Sequence, residues 1–199
     1  MHKAKIKAVE LRCLDEETIQ KLRMWRNQDF IREQSYNKTI ISEKEHLLWV
    51  KKCKNDRNTH VFVFYANKEP FGVRQYVYCA EKDAVEVGNY LVSEDYQSMG
   101  YGALLIYFGE ELLYRELKYK REYAEALTTN IKAIHTAKRI EDKGQWETYQ
   151  KEVGGVLQEV MIFSGDKQEW EKEKQRLRPL IERFADLNYE VIMNEVHDE

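Results

Sequence analysis

The stretch 85–113, VEVGNYLVSEDYQSMGYGALLIYFGEELL, constrains the fold of this 199-residue chain more than any other segment. It opens as an apolar strand and passes through a short polar loop that holds Gly100 and Gly102. From Tyr101 onward the apolar residues Leu104, Leu105, Phe108 and Leu112 recur at spacings of three and four. That period marks one face of a helix packed on a sheet. In Gln97-Ser98-Met99-Gly100-Tyr101-Gly102-Ala103 the two glycines remove side chains that would hold a bulky anion away from the backbone. The first-turn N–H groups of the following helix lack intrahelical carbonyl partners and lie at the positive end of its dipole, so the unit reads as a phosphate-binding strand, loop and helix. Two glycines also serve ordinary turn chemistry at a helix start. The spacing is neither Gly-x-x-x-x-Gly-Lys-Ser/Thr nor Gly-x-Gly-x-x-Gly, which argues against mononucleotide and dinucleotide loops.

The flanking sequence reads as alternating strands and helices. Residues 5–12 form a strand, and Asp15-Glu16-Glu17 opens a helix carrying Ile19, Leu22 and Trp25 on its apolar face. Ser42 with Glu45 three residues later is a capping box for a second helix that ends near Asn55. Residues 59–66 and 71–79 are rich in β-branched and aromatic types and make a hairpin across residues 67–70, with 85–92 as a third antiparallel neighbour. Residues 121–127 suit a strand. Thr128-Thr129-Asn130 cap a helix that runs to about Lys143 and stops at Gly144. A second hairpin joins 145–152 to 156–163 across Gly154-Gly155, a charged helical stretch interrupted by Pro179 covers 166–186, and 189–193 forms a short strand. The expected fold is α/β: a mixed, mostly antiparallel sheet flanked by helices, with a charged C-terminal helical extension. Residues 1–165 are expected to form one domain, with 166–199 packed on it.

Composition narrows the function classes. Charged residues make up 34% and hydrophobic residues 43%, enough apolar content for a core. A net charge of −3 gives no overall pull toward nucleic acid or an acidic membrane. Residues 1–57 hold 14 Lys and Arg against 9 Asp and Glu, a basic front end compatible with a phosphorylated substrate or with a solvated helical face. Cys13, Cys53 and Cys79 have neither disulfide-framework nor metal-site spacing, so no metal is expected and a reducing cytoplasm is the expected location. The start MHKAKIKAVE lacks the apolar core of a signal peptide, and no apolar run has the length of a membrane span.

The loop resembles the acetyl-CoA loop, Gln/Arg-x-x-Gly-x-Gly/Ala, of the GCN5-related N-acetyltransferases, with Gln97, Gly100 and Gly102 in the named positions. The element order is similar over roughly residues 25–170. The resemblance implies acetyl-CoA as co-substrate, its pyrophosphate surrounded by Gln97 to Ala103 and its pantetheine arm beside Leu91, Val92 and Ser93 on a strand that splays open. Asn130 matches the Asn-x-x-Ala/Ser start of a further cofactor-binding helix. Within the family, Trp25-Arg26-Asn27, Ile40-Ile41, Glu45-His46-Leu47 and Glu86-x-Gly88-x-Tyr90 resemble the enzymes that acetylate a nucleotide-linked 4-amino sugar in pseudaminic acid synthesis. The implied partner is a small-molecule amine, without nucleic acid or membrane, and a homodimer is the assembly considered.

Direct attack on the thioester requires a neutral amine, hence a proton acceptor. Glu86 is the first candidate, with an ion-paired surface carboxylate as its competing reading. His46, of a type whose ordinary pKa is about 6.5, is the second, against a helix-surface or substrate-orienting role. Arg26, Asn27 and Trp25 suit phosphate, base edge and stacking face respectively, or else a helix end packing its tryptophan. Tyr36 and Arg74 are added to that cleft. The sequence departs from the family where a tyrosine protonates the departing thiolate, because Ala137 stands there. A thiol of pKa about 8.5 is a tolerable leaving group without that acid. Three readings follow: a small-molecule N-acetyltransferase, a protein N-terminal or lysine acetyltransferase, and a non-catalytic acyl-CoA binding module.

Overall fold

A computed structural model describes residues 3–140 and 147–194. In chain order the strands are β1 (Ala4–Glu10), β2 (Thr59–Ala66), β3 (Glu69–Cys79), β4 (Ala84–Leu91), β5 (Arg121–Leu127), β6 (Glu147–Val153), β7 (Val156–Asp166) and β8 (Ala185–Ile192). The helices are α1 (Glu16–Arg26), α2 (Asp29–Arg32), α3 (Glu43–Asn55), α4 (Tyr101–Glu111), α5 (Ile131–Ile140) and α6 (Lys167–Ile181). One eight-stranded sheet runs β6-β7-β5-β4-β3-β2-β1-β8, parallel at β4–β5 and β1–β8 and antiparallel elsewhere.

Local chemistry sets most boundaries. Asp15 caps α1 by accepting from the Thr18 N–H at 2.7 Å, and Ser42 with Glu45 forms the expected capping box on α3. The β2–β3 turn is tighter than the sequence suggested: Asn67 and Lys68 both take positive φ, 52° and 83°, so β3 begins at Glu69. Two positive-φ residues match the right-handed twist of the strands they join. The second hairpin turns on Gly154 and Gly155 as expected. The end expected for the α5 helix, at Lys143 and Gly144, lies outside the described residues.

The C-terminal stretch differs most from its sequence reading. Pro179 does not interrupt α6, which continues past it to Ile181. The hydrogen bond it removes and the crowding of its ring against the carbonyl four residues back are outweighed by the packing of Trp170, Leu177 and Ile181 into the core. The final strand starts at Ala185 and is eight residues long, paired in parallel with β1. Its partner lies at the other end of the sequence, which local pattern does not reveal.

The sheet separates two apolar layers. Phe62, Phe64, Tyr76, Val85 and Val87 face α4 and α6, while Val61, Val63, Val73 and Val92 face α1 and α3. A charged group is buried within the first layer. Arg74 of β3, 2% exposed, pairs with Glu110 of α4 and, at 3.2 Å, with Glu122 of β5. Gly109 makes room for it, since a Cβ there would stand 2.5 Å from Arg74 Cδ. Burial works against the guanidinium charge, but Glu110 and Glu122 hold its pKa above the ordinary value.

Removing this cation would leave two buried carboxylates uncompensated. Arg74→Met is expected to destabilise the fold by about 3 to 5 kcal/mol. Adding Glu110→Gln and Glu122→Gln should recover a substantial part of that loss. Urea unfolding midpoints of the single and triple variants check both expectations.

Candidate active site

The opening in the sheet is made by β4 and β5. They pair over only three rungs, Val85↔Glu122, Glu86↔Tyr123 and Val87↔Ala124, after which β4 stays with β3 as far as Gly72↔Leu91 and β5 stays with β7. From Gly88 onward the two strands diverge. Val92 donates its N–H to Phe71 O at 3.1 Å, so by the alternation of an antiparallel ladder Asn89 and Leu91 turn their N–H and C=O groups toward the gap. A cleft of about 2040 Å³ passes through this gap, bordered by residues from both faces of the sheet. Ordinary ligand pockets are about 300 to 1,000 Å³, so two substrates fit here.

On the α4 face the loop has the form the sequence suggested. Gly100 caps α4 in the left-handed region, φ 89°, where an L side chain costs roughly 1 to 2 kcal/mol. The first helical hydrogen bond is Leu104 N–H to Gly100 O at 3.1 Å. No partner for the N–H groups of Tyr101, Gly102 and Ala103 is found among the described residues. Gln97, Ser98, Met99, Gly100, Gly102, Ala103, Leu91 and Asn130 all border the cleft. Asn130 also caps α5, its Oδ1 accepting from the Ala133 N–H at 3.2 Å. Val92, Ser93 and Tyr101 have other surroundings. Val92 is buried with its carbonyl accepting from Gln28 Nε2, Ser93 caps the turn Glu94–Tyr96, and the Tyr101 ring packs on Phe71 and Tyr96. The free first-turn amides, the left-handed Gly100 and the open β4 edge fit a pyrophosphate followed by an amide-bearing arm.

On the opposite face Glu86, Arg26, Tyr36 and His46 border the same cleft. Glu86 lies on the last rung but one before the strands part, and Tyr123, its register partner, donates its hydroxyl to Glu86 Oε2 at 3.0 Å. His46 Nε2 is bonded to Ile19 O at 2.8 Å, which places the proton on Nε2 and ties α3 to α1. Burial, offset by that bond and reinforced by Arg23, lowers its pKa, so the ring is neutral at pH 7. Arg26 Nη2 donates to Asn37 O at 3.1 Å, whereas Arg26 Nη1 and Arg23 Nε are buried without a partner among the described residues.

Three residues expected on the acceptor side are committed elsewhere. Asn27 spends both amide atoms on Ile41, donating to its carbonyl at 2.9 Å and accepting from its N–H at 2.8 Å. Trp25 packs against the α1–α3 core layer and does not border the cleft. Arg74 does border the cleft, but from the α4 face of β3, across the sheet from Glu86, in its ion pairs with Glu110 and Glu122. In each case a polar or aromatic type satisfied the local pattern, and the fold assigned it a structural contact.

The structure also adds residues. Glu125, two positions after Tyr123 on β5, accepts from Tyr36 Oη at 2.9 Å, from Tyr149 Oη at 2.6 Å and from Lys151 Nζ. The Lys151 ammonium also lies 4.3 Å from the Tyr36 ring centroid. This node joins the segment after α2 to β6 and fixes Tyr36 at the cleft. Its sequence signal was the two-residue spacing Tyr123-x-Glu125, which puts both side chains on one face of a strand.

Comparison with known proteins accounts for this geometry. The acetyltransferase (GNAT) family profile matches residues 19–140. The chain belongs to the GNAT family. It is an acetyl-CoA-dependent N-acetyltransferase. The spermidine N-acetyltransferase of Vibrio cholerae, solved with CoA and spermine, aligns with TM-score 0.68 at 16% identity over 84% of this chain and 98% of that one. The N-acetyltransferase PseH of Campylobacter jejuni, solved with acetyl coenzyme A, aligns with TM-score 0.56 at 19% identity over 79% and 97%. AAC(6')-Ib with ribostamycin and coenzyme A aligns with TM-score 0.64 at 14% identity over 86% and 97%. No curated protein sequence matches the chain.

The Glu125 node makes a pH prediction for this GNAT cleft. Burial raises the carboxyl pKa, but hydrogen bonds from Lys151, Tyr149 and Tyr36 outweigh it and hold the value below the ordinary one. A depressed folded-state pKa contributes stability above the unfolded value that is lost as pH falls through the folded value. Wild type should therefore exceed Glu125→Gln in urea midpoint at pH 7, with the difference beginning to shrink as pH falls through about 4, the unfolded carboxyl's range, and disappearing only below the folded value. Midpoints measured from pH 7 to 3 check this.

Proposed function

We propose that this acetyltransferase acts on a primary amine of a small, anionic acceptor, and that the acceptor class it fits best is a nucleotide-linked 4-amino sugar. The observation that carries the proposal is the pair of unpartnered arginine nitrogens, Arg23 Nε and Arg26 Nη1, on the same side of the sheet as Glu86. A buried donor without a partner costs about 1 to 3 kcal/mol, and a phosphate oxygen would relieve it. Burial, opposed by Tyr90 and reinforced by Arg32, pulls the Arg26 pKa down, so an added anion also stabilises its charged form. The N-acetyltransferase PseH among the structural neighbours supports the transfer of an acetyl group to nitrogen.

In this reading the donor is held by the N–H groups of Tyr101, Gly102 and Ala103 and by the open edge at Asn89 and Leu91. When bound, it supplies an activated acetyl group. Glu86 takes the proton of the acceptor ammonium, directly or through one water. Tyr123 orients Glu86, a residue of the cleft wall, by donating to its Oε2. Arg26 and Arg23 receive the acceptor's phosphate, Tyr36 forms the wall beside it, and His46 positions α1 against α3. Arg26→Ala should raise the acceptor KM by about 10-fold or more, the loss of one charge-assisted contact, with acetyl-CoA KM unchanged. An acceptor screen with acetyl-CoA and 4-amino sugar nucleotides, read by product mass, tests the class. Acetylation confined to peptides would favour a protein acceptor.

Ala137 bears on how the departing thiolate is protonated. It borders the cleft where the family's thiolate-protonating tyrosine is expected. If transfer lacks only that acid, Ala137→Tyr should raise kcat by at most about 10² to 10⁴-fold with acetyl-CoA KM little changed. A folded variant with no rise in kcat between pH 6 and 9 would remove the missing acid from the account.

A further inference from the structure

The closed end of the opening carries charge on its α4 face. Arg74 is level with Asn89 of the neighbouring strand, and its guanidinium crosses β4 to reach Glu122, the register partner of Val85. Glu110 meets it from α4, one turn after Ile106 on the same side of the helix. Arg74, Glu110, Ile106, Val87 and Ala124 all border the cleft. The Arg74–Glu110 pair is only partly satisfied. Glu110 Oε2 and Arg74 Nε are buried and have no hydrogen-bond partner among the described residues, with Glu110 4% and Arg74 2% exposed.

An acyl donor held at the first turn of α4, its arm on the open edge from Leu91 to Asn89, would bring its thioester to this end. From Asn89 to the Val87–Ala124 rung is roughly 7 Å of strand. The acceptor amine comes from the Glu86 face and attacks across the plane of the carbonyl, so the acyl chain lies along the sheet. A chain longer than acetyl then meets the closed rung and has to turn onto the α4 face, against Arg74 and Glu110. Alkyl carbon offers these charges no hydrogen bond and lowers the dielectric around them.

We propose that Arg74 and Glu110 form the floor of the acyl pocket and restrict the donor to a short acyl chain. The inference rests on the donor reading above. An apolar floor would tighten binding by about 4-fold for each added methylene. The charged floor reverses that order, so the two residues set acyl specificity as well as the position of α4.

The test measures the Kd of acetyl-CoA, propionyl-CoA and butyryl-CoA by calorimetry, with a urea midpoint for every protein. Wild type should bind butyryl-CoA about 10-fold or more weakly than acetyl-CoA. The triple variant Arg74→Met, Glu110→Gln, Glu122→Gln should bring the two donors to within about 3-fold. Glu110→Gln alone, which keeps the shape of the side chain, should move the ratio in the same direction. Ile106→Ala widens the same place without touching a charge and should keep the wild-type ratio. Equal affinity of wild type for acetyl-CoA and butyryl-CoA would overturn the proposal. So would an unchanged ratio in folded Glu110→Gln, or a ratio relaxed as far by Ile106→Ala, which would make the limit one of size. A wild-type protein that binds none of the three would instead overturn the donor reading, and this proposal with it.

Discussion

The separation of β4 from β5 after the Val87–Ala124 rung is the constraint on which the rest of the structure depends. Strands in the middle of a sheet ordinarily satisfy their peptide groups on both sides, and opening one flank exposes a row of donors and acceptors. The fold pins the three closed rungs from both faces. On one face Arg74 reaches from β3 to Glu122 of β5 and Glu110 of α4. On the other, Tyr123 bonds Glu86 across the β4–β5 pair. With the base of the opening fixed, the strands can part without the sheet coming apart.

The buried triad is an unusual choice for that purpose. One cation faces two carboxylates in an apolar layer, and hydrophobic replacement of such groups is often neutral or stabilising. A charged group does, however, specify its neighbours. Arg74 accepts only an arrangement that brings α4, β3 and β5 together at Gly109, where the helix has no side chain to obstruct it. This sets the position of α4 along the sheet, and with it the position of the free amides at its N-terminus. Glu111, the next residue, accepts from Trp170 Nε1 at 2.7 Å and pairs with Lys174 at 3.0 Å, so α6 is placed from the same helix.

The two sides of the opening carry different chemistry. The α4 side offers backbone donors and, at the closed end, the Arg74–Glu110 pair. The α1–α3 side offers a carboxylate, two arginines with unused donors and a tyrosine held by Glu125. An activated acyl donor and an anionic amine would meet from opposite faces of the sheet, with the thioester carbonyl in the gap. The cleft on both sides becomes a single site because the sheet is open where β4 and β5 part.

The sequence by itself determined the elements whose signals are local. The glycine loop before α4, the capping box at Ser42, the meander of β2 to β4 and the Gly154-Gly155 hairpin all follow from residues within a few positions of one another. Gly100 belongs to that class, since a left-handed N-cap selects glycine wherever it occurs. Only the tertiary structure decided which polar side chains were free to act. Arg74, Asn27 and Trp25 had suitable types for the cleft, yet a buried carboxylate pair, a backbone segment and a core layer took them. Glu125 and Tyr123 gained their positions from partners 24 to 89 residues away. The β1–β8 pairing is longer in range still. Periodicity and capping act over one or two turns of chain, whereas hydrogen-bond and charge satisfaction depend on neighbours that exist only after the sheet and its helices have assembled.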